Sequence, residues 1–450
     1  MRVWKSLLCL TAFAAAAPCA DLLIRNVTVI DVVTGAELPR QSILIHNGAI
    51  KSMGHQVVAP KAALLINGVG KFAIPGLWDM DVHLWYREHQ FPLYLENGVT
   101  GVRDMGSDLS WLNQWRDQIK TGKLIGPRIQ TCGPAVDGEA STDPKMPVLV
   151  VHRPDEARAT FDRLEDLDAD FVKVLPHLPR DAYFALIERA RKYYKPVAGY
   201  LPDAVTMLEA IDARQKSVEH MSGLLLACSK QERRLRSRLI LAAEKHDAQA
   251  YLELQGQVLD SFDPVKADSL FRRMSQFDMR AVPALTHLRR ETFAEAGQWA
   301  ADPRLRHVSP TIRKGWLDPL EYRKRFSDGA LTLALAQEEK LRKLIPSMKR
   351  AGVMIMAGSG TGDPYTVPGL ELHRELRMLV EAGLSPLEAL RSATIEPARF
   401  LGLEESAGSV SPGKVADLVL LEADPLKDIG NTRKIAAVIM DGRYLSRKAQ

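Results

Sequence analysis

Acidic and basic side chains follow several short apolar runs of this chain, at the point where each run ends. Asp81 and His83 end the first run, and Lys173, Tyr200 and His220 end later ones. Residues i and i+2 of a strand face the same side, so Asp81 and His83 could both reach one metal ion. Carboxylate and imidazole are zinc ligands, and a bound metal ion activates water for hydrolysis.

Eight apolar runs of strand character lie in the middle of the chain, and helix-like stretches separate most of them. The runs are residues 74–83, 99–104, 128–132, 171–175, 196–200, 217–220, 280–285 and 353–357. Strands that alternate with helices predict an α/β fold, a (β/α)8 TIM barrel over residues 74–404. The catalytic groups of such a barrel lie at the carboxyl ends of its strands, where the polar residues above are found.

Two connections, residues 221–279 and 286–352, are much longer than the others. Both have helical character, and we expect both to stand over the active face and form the substrate pocket. Residues 230–238 carry five basic side chains. We interpret them as a solvated helix face, with a site for an acidic ligand as the alternative.

The two ends of the chain have a different pattern from the middle. Short alternating runs separated by Gly and Asn turns occupy residues 21–73 and return in residues 405–450. We therefore predict that both ends combine into one small β-sandwich domain, while the middle folds on its own.

The first twenty residues resemble a secretory signal peptide. Arg2 and Lys5 precede an apolar stretch, residues 7–17, that is too short to span a bilayer and is followed by small residues. We predict that residues 1–20 are removed and that the mature protein is periplasmic or secreted, without a membrane anchor.

Bulk composition excludes several classes of protein. There are 60 Lys and Arg against 55 Asp and Glu, and an excess of +5 is too weak and scattered for a nucleic-acid-binding protein. Four cysteines in 450 residues exclude a disulfide-built scaffold. Cys132 and Cys228 would remain after export, but they end strands that are not neighbours, so we do not expect them to pair.

Ordered motifs along nearly the whole mature chain resemble the amidohydrolase superfamily, and most closely its imidazolonepropionase-like and exported dipeptidase-like branch. The motifs include Ile-Pro-Gly-Leu-Trp-Asp-Met at 74–80, Asn-Gly-Val-Thr-Gly-Val-Arg-Asp at 97–104, Asp-Phe-Val-Lys at 170–173, Ser-Val-Glu-His at 217–220 and Pro-Gly-Lys-Val-Ala-Asp-Leu-Val-Leu at 412–420. The resemblance implies a metal-dependent hydrolase.

That resemblance implies a site for two metal ions, usually zinc. The family pattern has His-x-His on the first strand, a carboxylated lysine on the fourth, one His each on the fifth and sixth, and an Asp on the eighth. By position, His83, Lys173 and His220 match. Three positions depart: Asp81 and Tyr200 stand where His is expected, and Gly360 stands where the Asp is expected.

The three departures differ in consequence. The Asp81 carboxylate still binds zinc, whereas a neutral phenol at position 200 is a poor ligand. Gly360 removes both a ligand and the base that accepts a proton from water. Asp363, three residues on, is the candidate to replace that base, although it could instead begin the turn at Pro364.

Two hypotheses follow. In the first, the chain hydrolyses a C–N bond of a small amide or dipeptide, with Asp363 and Tyr200 as catalytic residues. One divalent ion, Zn²⁺ or another, is then held by Asp81, His83, His220 and a carboxylated Lys173. Without carboxylation, Lys173 would be a cation paired with Asp81.

In the second hypothesis, a degenerate family member binds a ligand without catalysis. Lyase or isomerase chemistry in the same pocket is a third reading. A small-molecule substrate and a homo-oligomer are the expected partners.

Overall fold

Two stretches of the chain, residues 21–141 and 145–446, are described by the computed structural model. Residues 1–20, which we predict to be a signal peptide, lie outside the described residues. The fold is α/β: seventeen strands and seventeen α helices, with strands and helices alternating through the middle of the described part.

One eight-stranded sheet contains strands from both ends of the chain. Its members are β1 (Leu22–Ile30), β2 (Glu37–His46), β3 (Ala49–Gly54), β4 (Leu64–Asn67), β5 (Phe72–Pro75), β15 (Leu418–Leu421), β16 (Ile435–Met440) and β17 (Arg443–Ser446). Their order is β17-β16-β15-β5-β1-β2-β3, with β4 beside β1. The antiparallel pair of β15 with β5, in which Val419 lies opposite Ile74, joins the two ends.

The first predicted run of the middle divides at Gly76. Residues before it belong to β5 of the terminal sheet, and residues after it form β6. A side chain at Gly76 would lie 2.0 Å from the Thr100 hydroxyl oxygen, so only glycine allows the chain to pass here. Residues 74 and 75 therefore pair with β15 rather than with the middle strands.

The strands of the middle are short and parallel. They are β6 (Leu77–Val82), β7 (Val99–Asp104), β8 (Arg128–Thr131), β9 (Ala135–Asp137), β10 (Val148–Val150), β11 (Val172–Val174), β12 (Val197–Gly199), β13 (Ser217–Glu219) and β14 (Arg280–Val282). They form three sheets, β6-β7-β8, β10-β9-β11-β12 and β13-β14. The run at 353–357 forms only a parallel bridge, from Ile355 to Ala281. The closed barrel and the sandwich thus stay predictions.

Helices follow most of these strands. They are α1 (Arg87–Glu96), α2 (Leu109–Lys120), α3 (Pro154–Asp166), α4 (Arg180–Lys192), α5 (Met207–Ala213), α6 (Leu224–Ala227), α7 (Glu232–Glu244), α8 (Ala248–Asp260), α9 (Pro264–Gln276), α10 (Leu285–Glu291), α11 (Ala296–Trp299), α12 (Pro310–Lys314), α13 (Pro319–Arg323), α14 (Asp328–Arg350), α15 (Leu370–Glu381), α16 (Pro386–Ser392) and α17 (Ile395–Phe400). The insertion at 221–279 holds α6 to α9, and α10 to α14 account for the one at 286–352, so both are helical as expected.

Within the described residues, no helix is long and apolar enough to cross a bilayer. Cys132 and Cys228 are free and buried, so they do not pair. Their burial in separate parts of the core agrees with the expectation from strand order.

A buried ion pair ties the middle strands together. Arg103 on β7 and Glu219 on β13 are both fully buried, with 2.6 Å between Nη2 and Oε1. Arg103 also donates from Nε to the Met80 carbonyl on β6, at 2.8 Å. The other oxygen of Glu219 accepts from the Gly199 N–H on β12, at 2.5 Å. The pair therefore holds four strands in a fixed relation.

We expect Arg103→Met to lower the free energy of unfolding by about 3–5 kcal/mol, because it leaves the Glu219 carboxylate buried without its cation. Arg103→Met with Glu219→Gln should lose less, since no charge then remains buried. Arg189→Ala, which removes a half-exposed ion pair with Asp162, should cost no more than about 1 kcal/mol. Urea unfolding measures all three, and an equal loss in the single and double variants at 103 and 219 would contradict this reading.

Candidate functional site

The structure brings most of the predicted strand-end residues together. Asp81 is on β6, Lys173 on β11, and Tyr200 and His220 directly follow β12 and β13. The rings of Tyr200 and His220 lie 5.1 Å apart, and the Lys173 ammonium lies 6.0 Å from the Tyr200 ring centre. Parallel strands that end at one edge account for this meeting, as the sequence predicts.

Asp81 and His220 form the first of two acid–base pairs in the site. His220 Nε2 lies 3.5 Å from Asp81 Oδ2, and both side chains are at least nine-tenths buried. Burial opposes ionisation of Asp81, yet the basic groups around it, His220 and Lys173 first, lower its pKa. Burial and the neighbouring His287 lower the pKa of His220 to about 3. An ionised carboxylate therefore faces a neutral imidazole.

His287 and Asp363 form the second pair. Nδ1 of His287 on α10 donates to Asp363 Oδ2 at 3.1 Å, and the His287 ring lies 4.3 Å from that of His220. Burial disfavours protonation of His287, but the hydrogen bond and charge of Asp363 raise its pKa to about 9. Burial likewise opposes ionisation of Asp363, and the bond from His287 lowers its pKa. The pair is an imidazolium and a carboxylate at neutral pH.

His287 is a site residue that the sequence reasoning missed. It does not end an apolar run but lies five residues beyond the last residue of β14, inside the connection that we assigned to an insertion. A His close behind the seventh predicted strand was the available signal. Asp363 does reach the site as proposed, and it does so as the partner of this His.

The remaining predicted ligands are engaged in other contacts. Lys173 Nζ donates to the Met105 carbonyl at 2.6 Å and, in the described structure, has no carboxylate within 4.0 Å. The expected ion pair with Asp81 is therefore absent. His83 Nδ1 bonds to the Gly106 carbonyl at 3.0 Å, and its ring stacks on Trp85. Burial raises the pKa of Tyr200, so its phenol stays neutral.

A cavity of about 470 Å³ lies beside the site, a volume typical of small-molecule pockets. Tyr200 and His220 line one part of it. The rest of the wall comes from both insertions, including Leu224 and Leu239 from the first and Leu288 and Leu341 from the second. Both insertions therefore line the cavity next to the strand-end residues.

Comparison with known proteins finds similarity to amidohydrolases. The Amidohydrolase family model matches residues 316–445. An adenine deaminase of Clostridium botulinum (strain Loch Maree / Type A3) is 38% identical over 72 residues, 16% of this chain and 11% of that enzyme. An imidazolonepropionase of Pseudomonas paraeruginosa is 41% identical over 81 residues, 18% of this chain and 20% of that enzyme. The chain thus matches only a small part of the length of these curated relatives.

Solved structures match over a much greater length. A putative prolidase from Bifidobacterium longum has a TM-score of 0.72 at 22% identity, and the match covers 95% of both chains. A bottromycin amidohydrolase has a TM-score of 0.74 at 20% identity, and the match covers 95% of this chain and 87% of that one. The chain shares its fold with these proteins, and residues 316–445 match the Amidohydrolase family model. The predicted resemblance to the amidohydrolase superfamily is thus confirmed.

Amidohydrolases generally use a divalent metal, so we asked whether these residues fit one. Asp81 Oδ2 is buried without a hydrogen bond, and its 3.5 Å separation from His220 Nε2 is close to that of two ligands on one tetrahedral ion. No further ligand joins them: among the described residues, no three His, Cys, Asp or Glu side chains form a metal-binding group. Lys173 and Tyr200 are unsuitable for the reasons above. The residues present do not fit the amidohydrolase metal site.

The His287–Asp363 pair predicts a pH-dependent contribution to stability. Because the folded pKa of His287, about 9, exceeds the ordinary value near 6.5, the contribution is full below about pH 6.5 and is lost as pH rises through 9. The difference in unfolding free energy between wild type and His287→Gln should shrink over that interval. For the exposed His152→Gln, used as the control, the difference should stay constant. A constant difference for His287→Gln would disprove the assignment.

Proposed function

We propose that this chain is a hydrolase that cleaves a C–N bond of a small molecule at the strand-end site. The observation that carries the proposal is that a buried pair, Asp81 with His220, and a partly buried pair, His287 with Asp363, contact each other beside a cavity. Titratable groups with strongly shifted pKa values at a cleft are typical of acid–base catalysis. The names of the relatives, adenine deaminase and prolidase among them, support a C–N bond as the target.

His287 is the acid in this proposal. As an imidazolium it carries an N–H on each nitrogen, and Nδ1–H is held by Asp363. The Nε2–H remains to donate a hydrogen bond to the carbonyl oxygen of the substrate. It stabilises the negative charge that forms on that oxygen when water attacks the carbonyl carbon.

His220 is the base. Its Nδ1 is buried and has no hydrogen-bond partner, so it accepts a proton from the attacking water. A C–O bond forms as this proton leaves the water, and the C–N bond breaks as the same proton passes to the leaving nitrogen. The ionised Asp81 stabilises the imidazolium that His220 becomes in between. Tyr200, which lines the cavity, helps to position the substrate.

The proposal assigns the reaction to side chains. The family resemblance had led us to expect one Zn²⁺ or another divalent ion on Asp81, His83, His220 and a carboxylated Lys173. Because these residues do not form a three-ligand group, no step is assigned to a metal ion. Metal dependence is therefore a measured outcome of the experiment below.

We propose that the middle strands form the closed (β/α)8 barrel and that the terminal sheet belongs to a β-sandwich. Backbone hydrogen bonds between the separate sheets support closure. They run from Asp170 N to Thr131 O (2.8 Å), Lys216 N to Val197 O (2.7 Å), Ala281 N to Met354 O (3.0 Å) and Met80 N to Ala357 O (2.9 Å). We further propose export by the N-terminal segment, a small-molecule substrate, no nucleic-acid partner and a homo-oligomer.

A second candidate function is ligand binding without catalysis. The pKa of His220 near 3 favours this reading, since such an imidazole is a weak base at neutral pH. Gly360 favours it too, because the family's usual base is missing. In this reading the cavity and its two insertions still bind a small molecule.

We expect turnover of at least one substrate from a panel of amides, dipeptides including Xaa-Pro, and aminopurines. His287→Gln and His220→Gln should each lower kcat by roughly 10²-fold or more with little change in KM, because both act in the chemical step. The matched control is His152→Gln, an exposed His remote in sequence from the site residues, and it should keep full activity.

The assays are run on protein as purified, after chelation, and after addition of zinc or manganese. No turnover in any of the three states by folded protein would overturn the hydrolase proposal and leave ligand binding. Turnover that depends on added metal would overturn the roles given to His287 and His220 as the sole acid and base.

A further inference from the structure

His287 occupies the space next to position 360, where the family has an Asp side chain. Gly360 has φ +64, and a Cβ built on it would lie 2.9 Å from the Cβ of His287 and 3.2 Å from its Nδ1. Separations under about 3 Å are too short for van der Waals contact, so a side chain at 360 would force His287 to shift from this position. The imidazole fills the volume next to the position of the family's strand-eight carboxylate.

The surrounding structure holds His287 there from three directions. Asp363 accepts from Nδ1, as described above. The fully buried Glu375 on α15 accepts from the Leu285 and Thr286 N–H groups, at 3.0 and 2.8 Å, and so fixes the start of α10. The Thr286 hydroxyl donates to the Ser359 carbonyl at 2.9 Å, which fastens α10 to the glycine-rich loop. The ring position is therefore built into the fold rather than a free rotamer.

The neighbouring glycines show how closely this loop packs on β6. A Cβ at Gly358 would lie 2.5 Å from the Asp81 Cβ, and one at Gly362 would lie 2.7 Å from the His83 Cβ. The loop therefore has no room to move toward β6 and make space for a longer side chain at 360. Space at this edge of the site can be gained only by removing His287.

We infer that His287 has replaced the strand-eight carboxylate and that this site is built to work without a bound metal ion. The inference goes beyond the proposed function, because it holds equally for a hydrolase and for a ligand-binding protein. It rests on the shared space of His287 and Gly360, and on the absence of a three-ligand group among the described site residues.

The test is a double-mutant cycle that compares Gly360→Asp in the wild type and in His287→Gly, which lacks the Cβ that makes the shortest contact. In the wild type the new side chain collides with His287, and we expect Tm to fall by several degrees. In the His287→Gly background the collision is gone and the loss should be clearly smaller. Strain from the positive φ is present in both backgrounds and cancels in the comparison. An equal loss of Tm in both backgrounds would overturn the shared-space argument.

Metal binding is measured separately, by elemental analysis and by calorimetric titration with Zn²⁺. The wild type should contain well under one ion per chain and should show no stoichiometric binding. His287→Gly with Gly360→Asp should bind one Zn²⁺, and a further His220→Ala should abolish that binding. His287→Gly with Gly360→Ala, which has the same Cβ at 360 but no carboxylate, should not bind.

Stoichiometric zinc in the wild type that His220→Ala removes would overturn the inference, whether or not any double variant folds. These results are independent of the turnover assays. A metal-free protein without activity supports this inference and contradicts the proposed hydrolysis. An active protein with one zinc ion per chain does the reverse.

Discussion

The buried pair of Arg103 and Glu219 is the constraint on which the geometry of the site depends. A charged group inside the protein costs several kcal/mol unless its partner and its remaining hydrogen bonds are in place. Here the contacts of the pair reach Met80, Gly199 and, through Glu219 itself, β13. Each of these positions immediately precedes a site residue: Asp81, Tyr200 and His220. The Arg103–Glu219 pair thus fixes the positions of these strand ends, because two buried charges tolerate little displacement.

The upper boundary of the site is set by backbone packing instead. The loop after residue 357 lies so close to β6 that Gly358 and Gly362 leave no space for a Cβ. Buried Asp79 secures it by accepting hydrogen bonds from the N–H and hydroxyl of Ser359, at 2.9 and 2.5 Å. The strand ends and the loop after residue 357 are both held in place. His287 on α10 enters the site between them.

Much of this arrangement was predictable from the sequence because it depends on local periodicity. Apolar runs followed by polar residues located Asp81, Tyr200 and His220 correctly, since the ends of parallel strands meet whatever connects them. His287 could not be found in this way. Its place depends on a turn at Ala284, on contacts with Glu375 and on the empty volume above Gly360, and none of these leaves a periodic signal. The same limit applies to the first middle strand, which divides at Gly76 because of a contact with Thr100, a residue that is close in space but far along the chain.

Gly360 had a different meaning in the sequence than in the structure. Considered alone, Gly360 is the loss of a base and a ligand, and Tyr200 is the loss of a second ligand. When His287 is considered together with Gly360, the positive and negative charges of the site balance. The site has two ionised carboxylates, Asp81 and Asp363, near the imidazolium of His287 and the ammonium of Lys173, while burial raises the pKa of Asp79 to about 8 and leaves that group neutral.

Such a balance needs no external cation. A divalent ion placed beside His220 would lie close to the His287 ring, which is 4.3 Å from that of His220, and would compete with the proton that His287 donates to Asp363. A carboxylate at position 360 would in turn leave one negative charge without a partner. Gly360 and His287 therefore depend on each other. A carboxylate at 360 together with His287 would not fit the space, and Gly360 without His287 would leave Asp363 without its cation.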